Sequence, residues 1–227
     1  MENCVITRLG EIVNNSNMPF MNTLLVHNYG GMDVDASSLQ VKITVNEPTV
    51  VKTTDGSSRI SVDDESYSSY TVPANSETLI QLTDAVYDII ITKLSSIVKF
   101  IGQVWHKGTY GFNIEQFTDC VNLVNLEQEN NAHFTGNIVA LADCVNLTTL
   151  LFNTSTLSGT LEELVSKMAV NRTSGTLNFR AKGVKFNNSL TDGKAYDITF
   201  NSTGATVVVD GVTSTYDKDT DTWVYGS

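Results

Sequence analysis

Apolar and polar residues alternate along two parts of the chain, and this pattern predicts strands. Residues 39–45 alternate strictly between apolar and polar side chains, as in a strand with one buried face. The alternation returns at residues 196–200 and recurs towards Trp223, with Asp210-Gly211 as a turn. Short strands separated by turn residues favour an antiparallel β domain near the N-terminus and a β meander at the C-terminus.

Four local patterns add detail to this outline. Residues 24–27 predict one short strand, and Asp55-Gly56 predicts a hairpin-type turn before the strand at 59–62. Apolar residues at 94, 97, 98 and 101 follow helical spacing and favour a short connecting helix. Residues 161–170 carry an apolar helical face and predict a second helix.

The centre of the chain repeats itself. The pentapeptide Asp-Cys-Val-Asn-Leu occurs at 119–123 and again at 143–147. A weaker copy aligns residues 134–138 with residues 157–161. A period of about 24 residues is typical of solenoids, in which each unit buries its apolar face by stacking on its neighbours.

Equivalent apolar positions of the repeats predict a shared core. The Cys pair at 120 and 144 fits a ladder of small buried residues. The predicted repeat core consists of Phe117, Cys120, Leu123, Leu126, Leu141, Cys144, Leu147, Leu150, Leu161 and Leu164.

The elements Phe117-x-x-Cys120-x-Asn122-Leu123 and Leu141-x-x-Cys144-x-Asn146-Leu147 resemble the leucine-rich repeats of surface proteins from gut Bacteroidetes and their phages. The resemblance covers about 70 residues. It implies that the Leu and Cys positions are structural and that the exposed strand face binds partners.

The predicted fold class is therefore mainly β with minor α: a small antiparallel β domain, a short leucine-rich-repeat-like solenoid and a C-terminal β meander that caps it. Four segments follow from these patterns. They are an attachment leader at 1–36, the β domain at 37–104, the solenoid at 105–180 and the meander at 181–227.

Composition narrows the function classes. The net charge is −11 and the 14 basic residues are scattered, which argues against nucleic-acid binding. The apolar clusters are too short to cross a membrane, and the first nine residues lack a secretory signal. Three Cys residues favour reduced thiols over a disulfide framework. We therefore expect the product to stay in the compartment where it is made.

The sequence motifs give little support for a catalytic or metal-binding site. Cys120, His133 and Cys144 lack the spacing of zinc ligands, and no Gly-x-Ser-x-Gly elbow occurs. The adjacent Glu162-Glu163 do not form the paired carboxylates of a glycosidase. We therefore expect no enzyme activity, no catalytic residue, no cofactor and no metal.

Two further clusters leave alternatives open. The densest acidic groups lie at 63–65 and 217–221. The alternate Asp residues of 217–221 could hold calcium loosely, but this segment lacks the Gly and Glu of an EF-hand loop, so a solvated hairpin tip is favoured. Aromatic side chains could either contact a sugar or protein or close the ends of the β parts, and the second is favoured. They are Trp105, Tyr110, Phe112, Trp223 and Tyr225.

The leader, from Asn3-Cys4-Val5-Ile6-Thr7-Arg8-Leu9 to Met18-Pro19, looks like the start of small virion proteins of Bacteroides phages, including the crAss-like group. This resemblance implies a non-enzymatic virion component, assembled in the host cytoplasm, such as a head fibre, capsid decoration or tail-associated protein. Expected partners are other virion proteins and copies of the same chain, with a host-surface glycan or protein as an additional candidate. The predicted attachment residues are Val5, Ile6, Leu9, Ile12, Met18 and Phe20. The alternative is a bacterial cell-surface leucine-rich-repeat adhesin.

Overall fold

The computed structural model describes residues 23–28, 39–82, 88–104, 110–130 and 133–226 of the 227-residue chain. This part of the chain is mainly β, with one α-helix, so the predicted class of mainly β with minor α is confirmed. The predicted attachment residues and Cys4 lie outside the described residues.

Twenty strands, one α-helix and three short 3₁₀ turns make up the described part. The strands are β1 (Thr23–Asn28), β2 (Leu39–Val45), β3 (Thr49–Thr53), β4 (Ile60–Val62), β5 (Glu65–Tyr67), β6 (Ser69–Val72), β7 (Glu77–Leu82), β8 (Asp88–Thr92), β9 (Ile97–Val104), β10 (Tyr110–Asn113), β11 (Asn125–Asn130), β12 (His133–Thr135), β13 (Thr149–Thr156), β14 (Thr176–Lys182), β15 (Lys185–Phe186), β16 (Ser189–Leu190), β17 (Tyr196–Asn201), β18 (Gly204–Val209), β19 (Val212–Asp217) and β20 (Thr222–Val224). The helix is α1 (Leu161–Asn171), and the 3₁₀ turns are Leu94–Ser96, Ile114–Phe117 and Ile138–Leu141.

Two large sheets organise these strands. The larger has the order β20-β19-β18-β17-β14-β13-β11-β9-β2-β7-β4-β5, and the smaller has the order β12-β10-β1-β8-β3-β6. A hairpin of β15 and β16 stands apart from both. Buried side chains from both large sheets belong to one continuous hydrophobic cluster, so the apolar faces of the two sheets share a core.

Parallel strands from the repeats form the centre of the larger sheet. Lys99 of β9 pairs with Asn125 of β11, Asn125 pairs with Thr149 of β13, and Thr149 pairs with Asn178 of β14. The chain therefore returns to the same sheet level at positions 99, 125, 149 and 178. The step from β11 to β13 has the same length as the sequence repeat, which runs from position 119 to position 143.

The return path of each turn is also repetitive. Asn113 and Asn137 cap the 3₁₀ turns at 114–117 and 138–141 by accepting from the backbone N–H two residues later. Thr160 caps α1 at the equivalent place by accepting from Glu163 N, in the Thr-x-x-Glu pattern of a capping box. Gly136, with φ of +109°, leaves no room for a Cβ beside the Asn113 side chain. Gly159, which aligns with Gly136, has φ of +98° and leaves no room for a Cβ beside Asn137, so backbone conformation and close approach both require glycine at this repeat position.

A stack of phenylalanine rings connects successive turns inside the molecule. Phe112 of β10 lies 4.7 Å from Phe134 of β12, and Phe134 lies 4.7 Å from Phe152 of β13, centroid to centroid. Phe100 of β9 contacts Phe112 edge-on at 5.3 Å. All four rings are fully buried. Because Phe100 and Phe152 belong to the larger sheet, the stack joins it to the smaller one.

The flanks of the larger sheet are antiparallel. On one side β2, β7, β4 and β5 follow β9, and on the other β17, β18, β19 and β20 form the predicted C-terminal meander. One sheet therefore contains strands from the three segments predicted at 37–104, 105–180 and 181–227. The division of the chain into separate units at those boundaries stays a prediction.

Two local predictions are confirmed. The strand expected at 24–27 is β1, and the helix expected at 161–170 is α1. Strand β1 lies between β10 and β8 within the smaller sheet, although it belongs to the segment predicted as a leader at 1–36.

Two other local predictions are wrong. Only Leu94–Ser96 form a single 3₁₀ turn, and the predicted helix does not extend to residue 101, because β9 begins at Ile97 and pairs with β2 on one side and β11 on the other. Asp55-Gly56 does not close a hairpin, because β3 belongs to the smaller sheet and β4 to the larger one. In both cases the structure is decided by the strands with which these segments pair, and those strands lie far away in the sequence.

Candidate binding surface on the large sheet

All ten residues of the predicted repeat core have no solvent exposure. Leu126 pairs with Leu150 across β11 and β13, so these two side chains stack in register. Full burial of a Leu side chain stabilises a protein by about 1.5–3 kcal/mol relative to exposure. These residues stabilise the core and are not accessible to a partner, whereas the opposite face of the sheet is accessible.

The thiols of Cys120 and Cys144 are both buried. The Cys144 Sγ donates to the carbonyl oxygen of Phe117 in the preceding turn at 3.3 Å. Burial raises the pKa of Cys144 from 9.0 to about 12, with smaller effects from Asp143 and Asp119. Burial also raises the pKa of Cys120, with smaller effects from Cys144 and Asp119.

These raised pKa values predict a loss of stability in alkali. The unfolded chain ionises its thiols above about pH 9, whereas the folded chain keeps them neutral until a much higher pH. The stabilising contribution is therefore present below pH 9 and is lost as the pH rises towards the folded pKa. We expect the wild type to lose about 2–3 kcal/mol more than a Cys120→Ala/Cys144→Ala variant between pH 8 and pH 10.

Urea denaturation of both forms at each pH measures this difference. Tyrosine residues with raised pKa values, such as Tyr196 and Tyr216, contribute in the same direction, but they do so equally in both forms. Parallel declines in the two forms would contradict the prediction.

Asparagine and arginine side chains donate hydrogen bonds from each repeat turn to backbone carbonyl groups of the preceding turn. Asn122 Nδ2 donates to the Ser95 carbonyl at 2.8 Å, and Asn146 Nδ2 donates to the Val121 carbonyl at 2.9 Å. The repeated Asn of the pentapeptide therefore has a structural role. In the next turn Arg172 Nη1 donates to the Leu147 carbonyl at 2.5 Å. The structural role of Arg172 was not predicted, because Arg172 does not match the repeated pentapeptide.

One row of side chains crosses the outward face of the larger sheet from β7 to β14. Residues that pair across neighbouring strands point to the same face of a sheet. The row consists, in spatial order, of Leu79, Lys42, Ile101, Glu127, Leu151 and Arg180. Apolar and charged residues alternate along it, and of its apolar members Leu79 is 38% exposed whereas Ile101 is only 4% exposed. We call it the central row.

A second outward row lies two residues away on each strand. It consists of Glu77, Thr44, Lys99, Asn125, Thr149 and Asn178. Lys99 Nζ contacts Glu77 Oε2 at 2.7 Å, and this hydrogen bond raises the pKa of Lys99. Lys42 of the central row contacts Glu129 Oε2 at 3.4 Å. These exposed ion pairs contribute little stability, so they leave the face available for binding.

A depression of about 230 Å³ lies at the β7 end of the central row. It is lined by Ser61, Asp63, Asp64, Leu79 and Gln81. Ser61 pairs with Gln81 across β4 and β7, and Gln81 pairs with Gln40 on the outward side of β2. Asp63 and Asp64 form the two-residue turn between β4 and β5, with φ of 50° and 64°.

The polar groups of this depression lack partners. Within the described part of the chain, no hydrogen bond or ion pair involves the side chains of Ser61, Asp63, Asp64 or Gln81. Ser61 is only 8% exposed, although its hydroxyl group faces the depression. The Ser61 hydroxyl group is therefore open to solvent and is not a buried group without a partner.

The C-terminal aromatic residues pack mainly against the protein. Trp223 contacts Tyr216 and Phe186 at centroid distances of 5.3 and 5.7 Å. Tyr225 is partly exposed, and its hydroxyl group donates to Glu162 Oε1 at 3.2 Å. Burial, followed by the charge of Glu162, raises the pKa of Tyr225. Phe112 is fully buried, while Trp105 and the side chain of Tyr110 lie outside the described residues.

The acidic segment at 217–221 forms the turn between β19 and β20. Asp217 Oδ1 accepts from the backbone N–H groups of Asp219 and Thr220 at 2.9 and 3.2 Å. Asp221 Oδ1 accepts from the Tyr216 hydroxyl group at 3.0 Å. Both carboxylates therefore stabilise the hairpin tip.

Across the described residues, no group of three or more His, Cys, Asp or Glu side chains is arranged to hold a metal ion. The side chain of His133 is not described. No helix in the described part of the chain is long and apolar enough to cross a membrane. No family model, curated protein or solved structure matches this chain.

Proposed function

We propose that this chain is a non-enzymatic binding and assembly module built on a short leucine-rich-repeat-like solenoid. The parallel register of β9, β11, β13 and β14, which aligns positions 99, 125, 149 and 178, supports this proposal. The buried Leu and Cys positions and the coil-to-coil bonds of Asn122 and Asn146 agree with it.

The outward face of the larger sheet is the proposed binding surface. The single observation that carries this assignment is the in-register central row, which presents both apolar and charged groups across six neighbouring strands. A mixture of apolar and charged groups suits a folded polypeptide, since apolar contacts contribute affinity and charges contribute specificity. The two outward rows carry Lys42, Lys99 and Arg180 beside Glu77 and Glu127, so charges of both signs are available to a partner.

The setting that we propose is a phage particle, on the strength of the resemblance of residues 3–19 to virion proteins. In this proposal the N-terminal segment assembles copies of the chain next to other virion proteins, and the sheet face meets a further partner. Strand β1 is an internal strand of the smaller sheet, so a deletion that removes the N-terminal segment must leave β1 in place. A deletion of residues 1–22 keeps β1, whereas a deletion of residues 1–36 removes it.

The solution mass of three forms, measured by light scattering, tests this division of roles. The forms are the full chain, residues 23–227, and the full chain with Leu79→Glu and Leu151→Glu on the central row. We expect a defined oligomer for the full chain and for the double variant, and a folded monomer for residues 23–227. Circular dichroism checks that the shortened form stays folded.

Two outcomes would contradict the proposal. A monomeric full chain would exclude self-assembly through the N-terminal segment. An oligomer that dissociates only in the double variant would make the sheet face a self-interface, and the N-terminal segment would lose its proposed role.

A further inference from the structure

The carboxylate of Glu162 has one oxygen that is not used by the fold. Within the described residues, Glu162 Oε2 is the only buried side-chain nitrogen or oxygen atom without a hydrogen-bond partner. The other oxygen, Oε1, accepts from the backbone N–H of Asn187 at 2.5 Å and from the Tyr225 hydroxyl group at 3.2 Å. A buried oxygen without a donor is unfavourable, because burial removes the water that would otherwise donate to it. Glu162 Oε2 is therefore available to a donor that the described part of the chain does not supply.

Polar side chains from a hairpin lie beside this carboxylate. Glu162 is in the first turn of α1, and a parallel bridge between Thr160 and Lys185 places β15 next to the start of the helix. Asn187 and Asn188 form the turn between β15 and β16, with φ of 47° and 61°. Both residues are exposed, and within the described part of the chain neither amide side chain makes a hydrogen bond. Two amide groups that both donate and accept are therefore free next to Glu162.

Aromatic rings form the third part of the site. The rings of Trp223 and Tyr225 are nearly parallel, with centroids 6.0 Å apart, and Phe186 contacts both edge-on at 5.7 and 5.9 Å. Tyr225 is 39% exposed, so part of its ring is open to solvent beside its bond to Glu162. We call this arrangement the Glu162 site; it consists of Glu162, Asn187, Asn188, Trp223 and Tyr225.

This mixture of groups selects a class of ligand. A phosphate or another anion is repelled by the carboxylate, and a purely apolar ligand leaves Glu162 Oε2 unpaired. A simple cation makes no use of the two amide groups. A saccharide matches all three parts, because its hydroxyl groups both donate and accept, and the C–H groups on one face of its ring form an apolar surface that packs against an aromatic ring.

We propose that the Glu162 site binds a saccharide. One sugar hydroxyl group replaces the Tyr225 hydroxyl group on Oε1, whose bond is the longer of the two at that atom. This displacement opens Oε2, and a neighbouring sugar hydroxyl group donates to it, so that the carboxylate accepts two hydrogen bonds from one sugar. The C–H face of the sugar lies against the ring of Tyr225, and the amide group of Asn188 bonds a further hydroxyl group.

This inference goes beyond the proposed function, because the site is not on the outward face of the larger sheet. Trp223 pairs with Tyr216, which is buried, so the Trp223 side chain points to the core face. The central row lies on the opposite face. A saccharide and a polypeptide partner therefore occupy different surfaces of the chain.

Saturation-transfer difference NMR on the full chain tests the site, since it observes the ligand whatever the mass of the protein. The probes are the methyl glycosides of β-D-glucose, β-D-galactose and α-D-mannose, with glycerol as a polyol that has no ring face. We expect saturable transfer to at least one glycoside, strongest at the C–H protons of one ring face, and none to glycerol. Absence of saturable transfer to all three glycosides, or equal transfer to glycerol, would overturn the proposal.

Substitutions separate binding from a structural role. Glu162→Gln should bind the glycoside about tenfold more weakly, because hydrogen bonds to a charged group are lost. Glu163→Gln is the matched control, since Glu163 is an exposed neighbour in the same helical turn, and it should bind like the wild type. Tyr225→Phe should bind at least as tightly as the wild type, whereas Tyr225→Ala should bind more weakly because the ring is lost.

Two further outcomes would contradict the assignment. Equal losses in Glu162→Gln and Glu163→Gln would show that only overall charge matters, and displacement of the glycoside by tetramethylammonium chloride would identify a cation site on the rings. Circular dichroism checks that each variant stays folded. None of these outcomes depends on the oligomer mass or on the central row, so failure here is distinguishable from failure of the proposed function.

Discussion

Replacing Phe134 with alanine is expected to lower the free energy of unfolding by about 3–5 kcal/mol. Phe134 is fully buried, and its ring lies between those of Phe112 and Phe152, each at a centroid distance of 4.7 Å. Alanine would leave a cavity in the stack that joins the two large sheets. It would also remove two aromatic contacts, each contributing about 0.5–1.5 kcal/mol beyond the buried area.

Urea denaturation of the wild type and the variant measures this loss as a shift of the transition midpoint at constant slope. Val170→Ala is a suitable control, because Val170 is 66% exposed on α1 and should change stability by less than about 0.5 kcal/mol. A Phe134→Ala variant that is as stable as the control would mean that the stack does not support the fold.

Replacing Arg172 with alanine is expected to lower the free energy of unfolding by about 2–4 kcal/mol. The buried guanidinium group donates to the carbonyl oxygens of Leu147, Ser174 and Thr176 and lies 4.4 Å from the centroid of the Phe200 ring. Removing it leaves the buried Leu147 carbonyl group without its donor and removes a cation–π contact. Arg172 thereby connects the last repeat turn, the helix end and the meander.

Arg172→Lys separates charge from geometry. Lysine keeps the charge but lacks the planar group that reaches several carbonyl oxygens, so it should recover only part of the loss. Arg180→Ala is the control, since Arg180 is exposed and donates only to the Gly193 carbonyl among described bonds. Its expected cost is below about 1 kcal/mol. Equal midpoints for Arg172→Ala and Arg180→Ala would refute the role assigned to Arg172.

Predictions from local sequence patterns were wrong where a short segment was compatible with more than one structure. Residues 94–101 fit helical spacing, but β9 lies between two strands and buries Ile97, Phe100 and Ile101. Ile101 lies on the outward face and Phe100 on the core face, yet both are buried, so the apolar residues of β9 do not alternate cleanly and their spacing resembles that of a helix. Asp55-Gly56 has hairpin chemistry, yet the chain there passes from one sheet to the other.

The candidate surface was not predictable as a site. Alternation identifies Lys42 as a polar-side position on its own strand, but only the pairing of β2 with both β7 and β9 brings it beside Leu79 and Ile101. The depression depends on a second pairing between separate strands, that of β4 with β7, which places Ser61 next to Gln81. The acidic turn at 63–64 was visible in the sequence, whereas the buried serine facing it was not.

The central repeat, the buried Leu and Cys positions, the helix at 161–171 and the closing meander all follow from the order of residues along the chain. They do so because side-chain alternation, capping and turn chemistry act over a few residues, and a repeat brings equivalent positions into register. The internal place of β1, the continuous twelve-stranded sheet, the three carbonyl contacts of Arg172 and the lined depression arise from pairings between distant segments. Those pairings are selected by the burial of one common core, to which each strand contributes only part of the apolar surface.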